Sequence, residues 1–376
     1  MKKIKILHLV PGLDAGGISV LLLNYYKKMD RNKIQFDFAI FHERLGMTGK
    51  EFEKMGSKIY ILPQKKVDFK GYIGTLRKIL EENNYEIVHA HQNYQSFIPL
   101  KIAKDMGVRV RIAHSHTTLA MPGIKQKIYY MIGKIGNKIY ATDKFACGIE
   151  AGKFLYGNKE YRKGNVFILN NAIDIKKYVY NENTRQKKRE ELGIEDSFVI
   201  GNIGRLSAEK NQKFAIDVLA ELCKVEPTAK LLIVGNGELE KDLKEYAKQS
   251  GVIEKTIFLG RRSDVCELLQ AFDVFILPSL IEGLPIVGVE AISASIPCLF
   301  ADCITKELKL RENIEYIKGY NPKEWCSKIL FYQNFIRKEN SKDVMMRLYD
   351  INTNARNLED KYIEILQERN GENDNK

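Results

Sequence analysis

Residues 274–290 of this chain, which read VFILPSLIEGLPIVGVE, indicate the fold most clearly. The apolar run from Val274 to Leu277 is followed by a loop and then by a helical pattern through Ser295. Pro285 suits the first turn of that helix, because the N–H that proline lacks is not needed there. A buried strand that leads through a loop into a helix is the repeating unit of an α/β protein with a parallel sheet.

The same alternation extends over both halves of the chain. Continuous apolar strands separated by amphipathic helices indicate parallel sheets that are covered on both faces. We therefore predict an α/β fold with two Rossmann-like domains in tandem. The predicted strands are 4–10, 36–41, 58–62, 87–91, 109–114, 144–149 and 166–169 in the first domain, and 198–203, 230–234, 256–259, 274–277, 297–301 and 314–318 in the second.

The joint between the domains is predicted near residues 176–195, which are polar and lack apolar periodicity. The first domain then covers 1–178 and the second 179–354. A last helix at 355–370 is expected to pack back on the first domain. A chain of 376 residues has room for two domains of ordinary size.

Composition restricts the class of protein. No run approaches the roughly 20 apolar residues that a membrane-spanning helix needs. The six cysteines lie far apart without Cys-x-x-Cys spacing, so we expect reduced core residues and a cytoplasmic protein. Residues 1–180 contain 31 Lys and Arg against 15 Asp and Glu, a net charge of +16. This excess suggests contact with an anionic surface, a membrane or nucleic acid, or else only a solvated lysine-rich surface.

Two glutamates in the opening stretch have a possible binding role. Glu282 precedes the predicted helix and Glu290 lies about a turn and a half inside it. Free N–H groups at a helix N-terminus bind anions, and carboxylates accept hydrogen bonds from sugar hydroxyls. The alternative is a helix start that carries acidic residues only because they suit the helix dipole.

A second loop follows the strand at 198–203 and contains Arg205 and Lys210. A departing nucleoside diphosphate develops negative charge, which a guanidinium and an ammonium group can stabilise without a metal. The chain contains no Asp-x-Asp motif, so we expect neither a divalent metal nor another cofactor. The alternative is an ordinary surface pair of basic residues.

Together these segments resemble the family 4 retaining glycosyltransferases of the GT-B architecture, in which two Rossmann-like domains face each other across a cleft. The resemblance covers nearly the whole chain and is nearest to the bacterial exopolysaccharide and capsule enzymes. The segments that match are Gly16-Gly17, Ser115-His116, Asn171-Ala172-Ile173-Asp174, Gly204-Arg205, Lys210-Asn211, Val234-Gly235-Asn236-Gly237, Phe258-Leu259-Gly260, Pro278-Ser279, Glu282 with Glu290, and residues 302–307.

The resemblance also implies roles for individual residues. Glu290 would hold the ribose hydroxyls and Glu282 the donor sugar, while Arg205 and Lys210 would hold the diphosphate. The remaining donor-binding residues would act through their backbone or lie in the matching motifs: Gly16, Gly17, Gly204, Asn211, Gly235, Arg261, Gly283, Leu284, Pro285, Ile286 and Val287.

The histidines add candidates on the first domain. The resemblance places His116 beside the reacting sugar as a catalytic residue, with His91 and His114 as acceptor-side candidates. The pairs His89/His91 and His114/His116 could also form a metal site, since residues two apart share a face of a strand. Because no acidic or cysteine ligand is near them in the sequence, we predict no metal; structural hydrogen bonding is the further alternative.

Residues 124–139 carry isoleucines and a methionine at helical spacing with lysines between them. A basic amphipathic helix can lie on an anionic leaflet, and a core helix of the first domain is the alternative. The expected function is transfer of a hexosyl or N-acetylhexosaminyl group from a nucleotide sugar, UDP-linked, to a lipid-linked glycan at the inner membrane face. A UDP-sugar epimerase and a non-catalytic nucleotide-sugar-binding protein are the alternatives; nucleic acid is not expected, because no recognition motif is present.

Overall fold

The computed structural model describes residues 3–14, 16–41, 45–118, 123–338 and 344–374. The chain divides into two compact units. Unit 1 comprises residues 1–172 together with 349–376, and unit 2 comprises residues 173–348. The sequence-based limits at 178 and 354 thus differ from the observed ones by a few residues.

Unit 1 contains one parallel sheet of seven strands in the order β3-β2-β1-β4-β5-β6-β7. Most residues of its strands are apolar, as expected for a sheet with helices on both faces. The strands are β1 (Ile4–Leu9), β2 (Ile34–Ile40), β3 (Ile59–Ile61), β4 (Ile87–Ala90), β5 (Val110–Ser115), β6 (Asp143–Ala146) and β7 (Phe167–Ile168). The helices are α1 (Gly17–Lys28), α2 (Met47–Lys54), α3 (Phe69–Asn83), α4 (Phe97–Asp105), α5 (Ile124–Tyr140), α6 (Ile149–Tyr156) and α7 (Asn158–Arg162).

Unit 2 contains a parallel sheet of six strands in the order β10-β9-β8-β11-β12-β13. Its strands are β8 (Val199–Ile203), β9 (Lys230–Val234), β10 (Thr256–Gly260), β11 (Val274–Leu277), β12 (Cys298–Ala301) and β13 (Ile314–Ile317). Its helices are α8 (Glu182–Leu192), α9 (Gln212–Leu222), α10 (Glu240–Gln249), α11 (Val265–Ala271), α12 (Ile286–Ser293) and α13 (Pro322–Phe331). The α/β prediction with two Rossmann-like parallel sheets is confirmed.

In both sheets the strand order reverses next to the first strand of the unit. In unit 1 the reversal lies between β1 and β4, and in unit 2 between β8 and β11. Ligands of open α/β sheets bind beyond the carboxyl ends of the strands at such a reversal. The loops after these four strands therefore hold the candidate site residues.

Much of the stretch near residues 176–195, where the joint was predicted, forms helix α8 of unit 2. Its basic side chains are held by the rest of unit 2 rather than by an apolar stripe. Arg185 forms an ion pair with Asp273. The guanidinium of Arg189, which is 8% exposed, donates to the carbonyl of Ala271 at 2.8 Å. Periodicity of apolar residues therefore could not reveal this helix.

The last helix, α14 (Ile351–Asp374), belongs to unit 1. Glu359 on this helix accepts the backbone N–H of Asp30 at 3.1 Å and pairs with the Lys33 ammonium at 3.2 Å. Tyr362 is buried in unit 1, with its hydroxyl 2.8 Å from Nδ1 of His89. The helix thus completes the core of the first unit.

Candidate active site

In unit 2 the loops after β8 and β11 are neighbours, because these two strands pair directly, with Phe275 opposite Gly201. Two hydrogen bonds join the loops. The backbone N–H of Leu280 donates to the carbonyl of Glu209 at 2.8 Å. The Asn211 side chain, on a residue with φ of +55°, donates to the carbonyl of Pro278 at 3.1 Å.

Lys210 and Glu282 meet at this junction. The Lys210 ammonium forms an ion pair with Oε1 of Glu282, and the Ser279 hydroxyl donates to the same oxygen at 3.0 Å. The Lys210 side chain is 24% exposed and that of Glu282 is 10% exposed. A partly buried, charge-assisted pair keeps its geometry better than a surface pair, so the ammonium group is held at a defined point.

Arg205 lies on the same loop, but its guanidinium has a different partner. It pairs with Glu238 at 3.0 Å, and both side chains are more than half exposed. The sequence predicted that Arg205 and Lys210 both hold the diphosphate. Of these two cations, Lys210 contacts one of the candidate carboxylates, Glu282, whereas Arg205 contacts Glu238.

Glycines bring three backbone segments close together beside this loop. A Cβ at Gly235, whose φ is +138°, would lie 2.0 Å from the Gly204 carbonyl oxygen. The N–H of Gly235 donates to the carbonyl of Gly260 at 2.8 Å, and Gly260 precedes Arg261. Only glycine fits at position 235, because any side chain would push the loops apart.

Helix α12 begins at Ile286, and Pro285 is its N-cap residue rather than part of its first turn as predicted. The N–H groups of Gly288 and Val289 both donate to the Pro285 carbonyl. Within the described part of the chain, no hydrogen bond is recorded from the N–H of Ile286 or Val287. N–H groups at the first turn of a helix lie at the positive end of the helix dipole and can bind an anion. The predicted residues Gly283 and Leu284 lie in the segment that leads into this helix.

Glu290 lies on α12 beside Tyr178, whose hydroxyl donates to Oε1 of Glu290 at 2.7 Å. Burial raises the pKa of the Glu290 carboxyl, and the hydrogen bond from Tyr178 partly opposes that rise. The same contact, together with burial, raises the pKa of Tyr178. A carboxylate has about four acceptor positions, so the bond to Tyr178 leaves acceptor capacity for hydroxyl groups.

Sequence reasoning missed three residues of this site: Tyr178, Ser279 and Glu238. Ser279 stood in a quoted motif, three residues before Glu282 in the loop, and its role could have been suspected. Tyr178 and Glu238 contact residues far away in the chain, and no local pattern indicates such pairs.

In unit 1 the loop after β1 contains Gly16 and Gly17. Gly16 is the N-cap of α1, and its N–H donates to the Asp14 carboxylate at 3.1 Å. A Cβ at Gly17 would meet no atom within 4 Å, so the backbone is open to an approaching group at this point. The first turn of α1 contains no acidic residue that would repel an anion.

The five histidines of unit 1 that the structure describes lie at the carboxyl ends of β1, β4 and β5; they are His8, His89, His91, His114 and His116. His91 contacts two of them through its ring nitrogens, with Nε2 at 3.0 Å from Nδ1 of His8 and Nδ1 at 2.9 Å from Nε2 of His116. Nε2 of His89 is 3.1 Å from Nδ1 of His114. Burial lowers the pKa of His8 and of His116 to about 3, so the rings are neutral near pH 7.

Neutral imidazoles are also metal ligands, and two groups of three histidines have ring nitrogens within 4.8 Å of one another: His8, His89 and His91, and His91, His114 and His116. In each group, however, ring nitrogens form hydrogen bonds with each other. The geometry thus explains the two His-x-His pairs without requiring an ion. A metal would have to replace these hydrogen bonds.

Comparison with known proteins places this geometry in a family. The model of the glycosyl transferases group 1 family matches residues 184–329. EpsF of Bacillus subtilis, a provisionally named glycosyltransferase, is 31% identical over 309 residues, which are 81% of this chain and 80% of EpsF. The capsular polysaccharide biosynthesis glycosyltransferase CapH of Staphylococcus aureus is 26% identical over 380 residues, covering 96% of this chain and 99% of CapH.

An Escherichia coli enzyme named as a UDP-Gal:α-D-GlcNAc-diphosphoundecaprenol α-1,3-galactosyltransferase is 30% identical over 243 residues, or 62% of each chain. Among solved structures, HepE of Anabaena in complex with UDP has a TM-score of 0.79 at 20% identity, covering 96% of this chain and 100% of HepE. HepE has also been solved with UDP-glucose. This likeness shows the two-domain α/β fold of GT-B proteins.

The family match favours neither the epimerase nor the non-catalytic binding protein. The match to EpsF extends over both units, and the group 1 model spans the loops that carry Lys210, Glu282 and Glu290. The chain belongs to the group 1 glycosyltransferases.

Proposed function

We propose that this chain, a member of family 4, transfers a hexosyl or N-acetylhexosaminyl group from a UDP-sugar to a lipid-linked glycan, with retention of the anomeric configuration, in exopolysaccharide or capsule synthesis. The observation that carries the proposal is the Lys210–Glu282 ion pair beside the N-terminus of a helix. The names of CapH and of the E. coli relative support the pathway and the acceptor. The UDP complexes of HepE support the donor.

The proposed donor site lies along the loops of unit 2. The ribose hydroxyls of UDP donate to the Glu290 carboxylate, which Tyr178 orients. We expect the backbone at Arg261, which follows β10, to contact the base. The diphosphate lies at the start of α12, where the N–H groups of Ile286 and Val287 and the Lys210 ammonium offer positive charge.

The proposed chemistry is stabilisation of the leaving group. As the bond between the anomeric carbon and the phosphate oxygen breaks, that oxygen gains negative charge, and the ammonium of Lys210 meets it at once because Glu282 and Ser279 hold it in place. Arg205, on a mobile and exposed side chain, can leave Glu238 for the diphosphate. Protein cations thus provide the charge that a divalent metal would otherwise supply.

A screen of nucleotide sugars tests the donor. UDP-, GDP- and ADP-glucose are added separately to the full-length chain, and the midpoint of thermal unfolding is measured. A ligand at 100 times its Kd stabilises by about 2.7 kcal/mol, so UDP-glucose should raise the midpoint by a few degrees. A shift with GDP- or ADP-glucose alone would contradict the choice of UDP.

Transfer is then measured with polyprenyl-diphosphate-linked N-acetylglucosamine as the acceptor. We expect a lipid-linked disaccharide with the anomeric configuration of the donor. Release of an altered UDP-sugar without any need for acceptor would instead identify an epimerase. Binding without either product would identify a non-catalytic protein.

Helix α5 supports a membrane-bound acceptor. Its small residues face the unit: a Cβ at Gly133 would lie 2.4 Å from the Tyr94 carbonyl oxygen, and one at Gly136 2.6 Å from the Phe97 ring. Its large apolar residues therefore point away from the unit. They are Ile124, Ile128, Met131, Ile132, Ile135 and Ile139, and each is at least half exposed. The alternative that these isoleucines belong to the core is wrong.

We propose that this apolar face of α5 lies on the anionic inner leaflet of the membrane. The lysines at 125, 127, 134 and 138 flank the face, and a basic amphipathic helix of this kind binds anionic lipid. None of the helices in the described ranges combines the length and the apolar character that crossing a bilayer requires. The proposed mode is therefore peripheral.

Vesicle flotation tests this contact. The full-length chain should float with vesicles that contain phosphatidylglycerol, and the variant Ile128→Asp/Ile135→Asp should not. Val225→Asp changes a residue in unit 2 that is 62% exposed and should leave flotation unchanged. Equal flotation of all three proteins would refute the role of α5.

A further inference from the structure

Three histidines of unit 1, His8, His91 and His116, form a line of hydrogen-bonded rings that runs from the core toward the surface. His8 on β1 is fully buried, His91 follows β4 and is fully buried, and His116 follows β5 and is partly exposed. The ring nitrogens contact each other in order: Nδ1 of His8 with Nε2 of His91, and Nδ1 of His91 with Nε2 of His116. The central ring, His91, thus uses a different nitrogen toward each of its two neighbours.

A neutral imidazole has one N–H donor and one acceptor nitrogen. Burial lowers the pKa of all three rings, so each of them is neutral at physiological pH. A line of such rings has only two consistent proton arrangements. Either every ring carries its proton on Nδ1, or every ring carries it on Nε2, and reversing one ring would place two donors or two acceptors against each other.

The inner end of the line distinguishes the two arrangements. Nε2 of His8 is buried and has no hydrogen-bond partner among the described residues. It lies in an aromatic environment, with the ring centroid of Phe36 at 4.2 Å and that of Phe38 at 5.5 Å. A buried polar group without a partner costs roughly 1–3 kcal/mol, whether it is a donor or an acceptor. Orphaned N–H groups are, however, rarer in native proteins than under-satisfied acceptors. The arrangement that leaves a bare nitrogen at this end is therefore favoured.

We propose that His8 and His91 are positioning residues that lock His116 in the tautomer with its proton on Nδ1. Nε2 of His116 is then occupied by the N–H of His91, and Nδ1–H is the donor that His116 offers to a ligand. The chemical group that suits this donor is a hydroxyl or carbonyl oxygen of a sugar. This last point rests on the proposed function and on the resemblance, which implies that His116 lies beside the reacting sugar.

The tautomers can be observed directly in the protein without substrate. The full-length chain is labelled with 15N-histidine, and long-range proton–nitrogen correlation spectra show which ring nitrogen carries the proton. We expect a single tautomer for His8, His91 and His116, each protonated on Nδ1. His116 is assigned from the loss of its signals in His116→Gln. A proton on Nε2 of His116, or a mixture of tautomers in the unmodified chain, would overturn the proposal without any further variant.

Two variants at His8 test whether the inner ring controls the outer one. His8→Leu removes the donor to His91, so the signals of His116 should shift toward a mixture of tautomers. His8→Asn keeps an amide N–H near the position of Nδ1 and should preserve the single tautomer. Tyr362→Phe is the matched control: it changes the neighbouring line through His89 and should leave His116 unaffected. A His116 tautomer that is unchanged in a folded His8→Leu protein would refute control by His8.

A bound metal would also overturn the proposal, since it would take ring nitrogens that the line uses for hydrogen bonds. The spectra are therefore recorded before and after treatment with EDTA, and again after Zn²⁺ is added. We expect no change with EDTA. A single tautomer of His116 without any sugar transfer would refute the proposed function and support the role of the histidine line. Sugar transfer together with mixed tautomers would support the proposed function and refute the role of the histidine line.

Discussion

Replacement of Lys210 by alanine is the most informative single change in unit 2. It removes the ammonium that is paired with Glu282 and leaves that carboxylate with the Ser279 hydroxyl. It also removes a cation that the structure fixes on the loop that leads into α12. We therefore expect a large loss of turnover together with a modest loss of stability.

The two magnitudes can be estimated separately. Removal of one preorganised group that stabilises a developing charge lowers kcat by about 10²–10³, or about 2.7–4 kcal/mol. Because Glu282 keeps the hydrogen bond from the Ser279 hydroxyl and the Lys210–Glu282 pair is partly exposed to solvent, the stability cost should be near the lower end of about 1–3 kcal/mol. Domains of ordinary size have about 5–15 kcal/mol of stability, so the Lys210→Ala protein should still fold.

The assay measures kcat and KM for transfer from UDP-glucose, together with unfolding by urea. Lys224→Ala is the matched control, because Lys224 forms an exposed pair with Glu221 in the same unit. Its expected kcat is that of the unmodified chain. A folded Lys210→Ala protein with near-normal kcat would refute leaving-group stabilisation by Lys210.

Three further changes test the structure around this site. Gly235→Ala should lower the free energy of unfolding by more than about 2 kcal/mol, because the new Cβ would lie 2.0 Å from the Gly204 carbonyl oxygen. Gly251→Ala is the control: its Cβ would meet open space, so urea unfolding should show a loss of about 1 kcal/mol. Equal losses in the two variants would contradict the close approach at Gly235. Burial raises the pKa of the Glu290 carboxyl in the folded chain. Between the pKa of this group in the unfolded chain and its pKa in the folded chain, the folded chain binds more protons. The free energy of unfolding therefore falls as the pH rises through this range. The stability difference in favour of Glu290→Gln should therefore grow from about pH 4 to about pH 8 in denaturation experiments, and a difference that shrinks with pH would contradict this. Asp273→Asn should lower the free energy of unfolding by about 2–4 kcal/mol, because it leaves Arg185 and Arg189 of α8 without their carboxylate partner. A loss below about 0.5 kcal/mol in urea unfolding would show that α8 does not depend on these two ion pairs.

The strands could be predicted well from the sequence. β9 (Lys230–Val234) and β11 (Val274–Leu277) have the bounds that the apolar runs indicated, and other strands differ at their ends by a residue or a few. A parallel sheet buried on both faces imposes continuous apolar runs, and this signal is local in the sequence. The strand order then follows from the alternation of strands and helices.

Features that depend on distant partners could not be predicted. Helix α8 is held by ion pairs to Asp273 and Asp264, so its sequence has the polarity of a linker. Arg205 was correctly placed on its loop, but nothing in the sequence indicates that Glu238 is its partner. In the same way, the two His-x-His pairs suggested a shared strand face, whereas the contact of His91 with His8 depends on how β1 and β4 pair.

Helix α5 shows a different limit. Its apolar stripe fits a core helix and a surface helix equally well, because periodicity gives the width of a stripe but not its direction. The glycines of α5 give its orientation. Gly133 and Gly136 allow α5 to lie close to Tyr94 and Phe97, so the isoleucines on the opposite face point to solvent. Glycines on one face of an otherwise amphipathic helix are thus the signal that could have distinguished the two readings.

The most direct test of the donor site is a crystal structure of the full-length chain with UDP. The account predicts that the ribose hydroxyls lie within hydrogen-bond distance of Glu290, and that the diphosphate lies at the N-terminus of α12 within reach of Lys210. UDP bound elsewhere in the chain, with no contact to Glu290 or Lys210, would contradict the account.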